Sequence, residues 1–232
     1  MLKNFLTTPD MRPRWQKQRN RAMTLIEVLV IIAICAFIMF IVVPGGVSPR
    51  AKARAQRINC VINLKQVGLA FRIWPPAQDD KYPMSVSVTN GGAMELIAAG
   101  NVAGCFQIMS NELSTPKILI CPADQEHHTA ATNFTTDFNN LHISYFVGLD
   151  ADEEHHPQRI MTGDDNFQIN GAGVPSGVLQ IQTNAPVSWT AARHKFVGNI
   201  GYADGSVAQV SDSGLQSALQ QTGLATNRFA IP

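Results

Sequence analysis

The sequence predicts an α+β chain: a long N-terminal helix, apolar and transmembrane in its first half, packed on a small antiparallel β-sheet head. Three observations carry that prediction. Residues 23–44 run for 22 positions with one charge, Glu27. Residues 48–74 set apolar side chains among cations at helical spacing and stop at Pro75-Pro76. The rest breaks into short β-rich runs between turn formers, with no repeat of solenoid length. Four segments follow: a basic leader (1–22), a membrane helix (23–44), its amphipathic continuation (45–74) and a head (75–232).

Composition narrows the function classes. Of 232 residues, 45% are hydrophobic, which excludes disorder along the whole chain. The net charge of +1 hides a split. Residues 1–22 carry six basic side chains and one acidic one, whereas residues 75–232 carry six basic against fifteen acidic. An acidic head cannot neutralise phosphates, so no nucleic-acid partner is expected. A hydrocarbon core of about 30 Å needs about 20 apolar helical residues. Basic residues before such a segment stay cytoplasmic, so the head is expected outside the cytoplasm on a single pass. A removed signal peptide would have an apolar core of roughly 7–15 residues and a small-x-small end. This run is longer, and Val42-Val43-Pro44 is a poor cleavage site.

Glu27 needs a partner, because a carboxylate inside a membrane segment costs at least about 2.5 kcal/mol. The residues around it, Ala22-Met23-Thr24-Leu25-Ile26-Glu27, resemble the processing site of type IV prepilins and type II secretion pseudopilins. There a small residue, usually Gly, precedes an N-methylated residue, usually Phe, and then Thr-Leu-Ile-Glu. Ala22 and Met23 stand in those two places here. The resemblance implies cleavage by a prepilin peptidase between Ala22 and Met23. It also implies that Glu27, fifth in the mature chain, pairs with the terminal amine of a neighbouring subunit. Pro44 falls where pilins commonly carry a helix-perturbing proline.

Beyond Pro44-Gly45-Gly46, which should loosen the helix, Ile58, Val61/Ile62, Lys65 and Leu69 give an amphipathic spacing. A helix over 24–74 would run about 75 Å at 1.5 Å per residue, with its second half on the head. The cations of residues 50–57 read as a solvated face rather than a lipid-headgroup contact. In the head, residues 84–89, 116–121 and 143–147 read as strands and 93–99 as a helix capped at Gly100. Residues 150–170 read as an irregular acidic stretch. Residues 200–210 read as a hairpin turning at Asp204-Gly205, a pair suited to a type I′ turn. A helical turn at 215–219 precedes a polar tail.

His194 stands ten positions before Asp204-Gly205. This His-x9-Asp-Gly element resembles the C-terminal motif of a group of prepilin-type proteins abundant in planctomycete and verrucomicrobial lineages. Gly68-Leu69-Ala70-Phe71 and Asp79-Asp80-Lys81-Tyr82-Pro83 resemble that group's stretch after the long helix. The turn explains Asp204-Gly205, and His194 reads as a structural histidine bonding across the hairpin.

Other candidates read as follows. The run 150–156 with Asp164-Asp165-Asn166 collects oxygen ligands of the kind calcium prefers, and some pseudopilins bind calcium. It matches no EF-hand spacing, so an acidic surface loop is the expected meaning, with no cofactor. His127-His128 and His155-His156 lack the Cys-x-x-Cys of a zinc site, and no metal site is expected. Cys35 and Cys60 read as packing residues. Cys105 and Cys121 close a short loop that an oxidising compartment would let pair, and the free and paired states both stay open. No nucleophile–base pattern stands out, so no enzyme is expected. The resemblance implies a pseudopilin or minor pilin of the inner membrane. Its partners would be the prepilin peptidase and other pilin-like subunits, in a secretion pseudopilus or pilus-like filament. The alternative is a membrane-tethered extracytoplasmic binding module with a prepilin-type leader.

Overall fold

A computed structural model describes residues 23–42, 48–74, 81–124 and 129–232. Ala22, Pro44, Pro75-Pro76, Asp79-Asp80 and His127-His128 lie outside the described residues. The chain divides into two units, one ending at Ser48 and the other spanning Pro49–Pro232.

In the first unit, helix α1 (Leu25–Val42) has 18 residues and leaves its described side chains exposed, Leu25 at 80% and Phe40 at 76%. Among the described residues, no helix is long and apolar enough to cross a membrane. An 18-residue helix rises about 27 Å, just under a hydrocarbon core of about 30 Å. The expected span to Pro44 runs past α1 into residues outside the described ones.

In the second unit, α2 (Pro49–Ile73) starts on a proline, whose missing N–H is no loss at the first helical position. Its buried stripe is Cys60, Leu64, Val67 and Phe71. This corrects the expected face: Ile58, Ile62 and Leu69 are about half exposed. Two residues turn a helix by about 200°, so the stripe starting at Ile58 points away from the one starting at Cys60.

Short helices α3 (Met94–Ala98), α4 (Val102–Ile108) and α5 (Ser110–Leu113) follow. Gly100 takes φ +82° past the end of α3, the left-handed position that favours glycine. The expected strands at 84–89 and 116–121 are instead 3-10 turns at Pro83–Ser85, Val88–Asn90 and Pro116–Leu119. Pro83 and Pro116 open two of these turns, and the side chains of Ser87 and Thr115 accept from Thr89 N and Lys117 N. Those local bonds compete with a ladder.

A six-stranded antiparallel sheet is built from β1 (Tyr145–Gly148), β2 (Ile160–Asp164), β5 (Gly177–Gln182), β7 (Gly198–Tyr202), β8 (Val207–Val210) and β9 (Thr226–Ile231). Its order is β5-β9-β1-β2-β7-β8. A second sheet, β4-β3-β6, joins β3 (Phe167–Ile169), β4 (Ala172–Gly173) and β6 (Val187–Trp189). The segment expected to be irregular thus holds β2 and β3, and the polar tail holds β9. The larger sheet is buried on both faces along its central strands β1, β2 and β7, while its edge strands β5 and β8 are partly exposed. Along β1, Tyr145 and Val147 enter the core shared with α2, and Phe146 enters a second core with Phe167, Trp189 and helix α6 (Asp212–Gln221). The result is three layers: helices, main sheet, then small sheet with α6.

The β7–β8 hairpin is present, but its turn differs from expectation. Gly205 N donates to Tyr202 O, Tyr202 N donates to Ser206 O, and only Gly205 has a positive φ, +81°. A type I′ turn needs two such residues, so this is a three-residue loop with glycine at the left-handed position.

Candidate functional site

At the head of α1 the motif residues bond to one another. Thr24 N and Oγ1 donate to Glu27 Oε2 at 2.8 and 3.0 Å, and Glu27 N donates back to Thr24 Oγ1 at 3.4 Å. Thr-x-x-Glu is therefore a capping box, satisfying helix-end donors that have no partner within the helix. Sequence reasoning assigned Glu27 an intermolecular partner and missed this local one. Met23, Leu25 and Ile26 are exposed around it.

In the head, Gly68, Tyr82 and Asp204-Gly205 of the resemblance motifs meet at the hairpin turn. Gly68 on α2 lies against Gly205, and a Cβ on Gly205 would stand 3.2 Å from the Arg72 side chain. Tyr82 Oη donates to Ala203 O at 2.9 Å. Asp204 Oδ1 accepts from Ser206 N at 2.8 Å, closing the turn. These residues are architectural.

His194 does not bond across the hairpin. It lies in the loop before β7, is 2% exposed, and its Nε2 is 3.2 Å from Cys121 Sγ and 3.8 Å from Asp164 Oδ2. Cys60 Sγ donates to Asp164 Oδ1 at 3.2 Å. Four ligand-type atoms, from Cys60, Cys121, Asp164 and His194, lie within 4.8 Å of one another, and all four residues are buried. They come from α2, the segment after a 3-10 turn, the end of β2 and a loop. Lys195 and Phe196 after His194 both have positive φ, 57° and 62°, a strained pair for non-glycine residues.

The surroundings fix these segments. Gln56 and Asn63 of α2 donate to the carbonyls of Pro122 and Ile120, on either side of Cys121. Arg57 donates to His194 O at 2.7 Å. Buried Arg193 pairs with Asp124 at 2.8 Å and Asp165 at 2.5 Å, lacing three of the four segments together. Asn199 donates twice to Asp164 Oδ2, from its backbone at 2.8 Å and its amide at 2.9 Å.

Charge within the cluster is unevenly held. The Cys60 thiol and, against burial, His194 pull the Cys121 thiol down to about 6. Burial drives the Cys60 thiol up and raises the Asp164 carboxyl. Burial opposes charge on His194, but Cys121 and Asp164 outweigh it and raise its pKa. A cysteine, a histidine and an aspartate invite comparison with a nucleophilic triad. A triad base uses one ring nitrogen toward the nucleophile and the other toward the carboxylate. Here one nitrogen, Nε2, faces both, and the site is closed to solvent.

The other predicted residues are dispersed. Asp150 binds Arg228, Glu153 binds Arg72, and Asp152 accepts from His155 and His156. The acidic run therefore does not converge on one point. Cys105 and Cys121 are free thiols, Cys105 buried apart from the cluster in the apolar core.

Residues 17–43 match the family model described as the prokaryotic N-terminal methylation motif. No curated protein and no solved structure matches the chain. The match covers the basic leader's end, the Thr24–Glu27 box and α1. The chain thus carries a prepilin-type N-terminal motif, the class that a prepilin peptidase processes and that pilin-like subunits use to assemble.

Proposed function

We propose that this chain is a membrane-anchored prepilin-type subunit, a pseudopilin or minor pilin, and a structural component rather than an enzyme. The observation that carries this reading is α1: an apolar rod with its described side chains exposed, headed by Thr24 and Glu27, inside the matched motif. Exposed apolar area of that extent marks a membrane or protein contact. Before assembly lipid covers the rod; after cleavage between Ala22 and Met23, neighbouring rods do. Glu27 then exchanges its bond to Thr24 for the terminal amine of an adjacent subunit. The second apolar stripe, Ile58, Ile62, Leu69 and Ile73 on the outer face of α2, supports the same reading.

Co-expression with a prepilin peptidase and pilus-assembly proteins, followed by mass spectrometry of the membrane fraction, tests it. The expected product starts at methylated Met23, and Glu27→Ala inserts normally but enters filaments poorly. An intact Met1 start in the mature pool, or normal incorporation of Glu27→Ala, contradicts it. A membrane-tethered binding module draws support from a cleft of about 590 Å³ lined by Asn140, Phe167, Thr190 and Arg193 among others. That reading predicts a monomer whose melting shifts with ligand.

A further inference from the structure

We propose that Cys60, Cys121, Asp164 and His194 form a closed structural zinc site that ties α2 to the main sheet of the head. The proposal is independent of the N-terminal reading. Zinc takes four ligands tetrahedrally, at about 2.3 Å for sulfur and about 2.0 Å for nitrogen or oxygen. Tetrahedral edges at those radii are about 3.3–3.8 Å. The separations here are 3.2 Å for Cys60 Sγ to Asp164 Oδ1 and 3.2 Å for Cys121 Sγ to His194 Nε2, and one ligand atom from each of the four residues lies within 4.8 Å of the others. The donor set of two thiols, an imidazole and a carboxylate suits zinc rather than calcium or magnesium, which prefer all-oxygen shells.

Two further observations fit a metal better than plain packing. A carboxylate with no exposure, a histidine and two thiols at one buried point is a poor core on its own, because buried charge needs compensation. Binding Zn²⁺ releases two protons to solvent, one from the Cys60 thiol and one shared by the Cys121–His194 pair, and the ligand set with its ion then carries −1, where the same two thiolates and carboxylate without the ion would carry −3. The outer partners are also those of a metal site. Asn199 fixes Asp164 Oδ2 and leaves Oδ1 facing Cys60, and Tyr145 Oη lies 3.4 Å from Cys60 Sγ. Gln56, Arg57 and Asn63 hold the Cys121 and His194 loops against the helix that supplies Cys60. Four protein ligands leave no open position, so the role is structural, not catalytic.

The test uses the full-length chain in detergent, with elemental analysis after gel filtration. The expected result is one zinc per chain, lost only to strong chelators with a fall in melting temperature, and restored by zinc but not calcium. Cobalt substitution should give the visible bands of tetrahedral thiolate coordination. Cys121→Ser should lower zinc affinity at least about tenfold and Asn199→Ala about tenfold or more, while Cys105→Ser keeps full occupancy. Should Cys121→Ser fail to fold, the wild-type metal content and cobalt spectrum still decide. A metal-free chain with both thiols reactive to alkylation overturns the proposal. So does a Cys60–Cys121 disulfide seen by intact mass as the loss of two hydrogens, or iron in place of zinc at the same stoichiometry.

Discussion

Gly198 sits so close to Trp189 that a Cβ built on it would lie 2.4 Å from the ring carbons. Trp189 is fully buried and cannot retreat. Gly198→Ala should therefore destabilise the head by about 1–3 kcal/mol, the range for an overpacked core. Gly173, on an exposed strand with nothing within 4 Å, is the control. Gly173→Ala should be neutral or stabilise by up to about 1 kcal/mol through the unfolded chain. Urea denaturation of the two variants checks both. Asp152 offers a pH readout. Partial burial opposes its charge, but hydrogen bonds from His156 and His155 outweigh it and hold the carboxyl at about 2, below its usual 3.8. A depressed acid contributes stability above its unfolded pKa and loses it as pH falls through the folded one. Acid melts between about pH 4 and pH 2 should thus fall more steeply for the wild type than for Asp152→Asn. At single residues the sequence located the turn at Asp204-Gly205, though not its type, and it missed the equally local bonds between Thr24 and Glu27. The buried cluster was not readable, because its members stand at least thirty positions apart and none belongs to a Cys-x-x-Cys pair.

Helix α2 shows how an element can be found while its orientation is misread. Both stripes on it have helical spacing, and periodicity alone cannot say which one faces the core. The decision comes from what lies opposite. Cys60 meets Tyr145 and Asp164 of the sheet, and Phe71 packs edge-on to Tyr82 and Phe106. Strands β7 and β8 were readable from their alternation and turn. By contrast β2, Ile-Met-Thr-Gly-Asp, is buried at every position and shows no alternation. β9 reads as a polar tail, yet it lies between β5 and β1 and buries Phe229 and Ile231. The outward stripe of α2 gives a prediction for the element. Leu69 is 53% exposed, so Leu69→Glu should change the head's stability by no more than about 0.5 kcal/mol. In the proposed filament the same change places a charge in an apolar contact, and incorporation should drop several-fold. A large stability loss, or unchanged incorporation in a sedimentation assay, would count against that contact.

For the molecule as a whole, the division before Pro49 separates two kinds of stability. Every residue of both cores lies between Cys60 and Ile231, and none comes from α1. The head therefore has its own core, its own sheets and its own polar network, whereas α1, among the described residues, shows intrahelical bonds and the Thr24–Glu27 cap. An isolated 18-residue helix is marginal in water, and its apolar surface needs lipid or other helices. A chain starting at Pro49 should consequently be soluble without detergent, monomeric by sedimentation, and melt cooperatively within a few degrees of the full-length head. It should also retain whatever metal the full chain holds, since all four cluster residues are present. The full chain should partition to membranes or aggregate when detergent is withdrawn. Aggregation or molten behaviour of the shortened chain would show that α1 contributes to the folded head. The helix would then be a structural part of the domain and not a handle for lipid and neighbouring subunits.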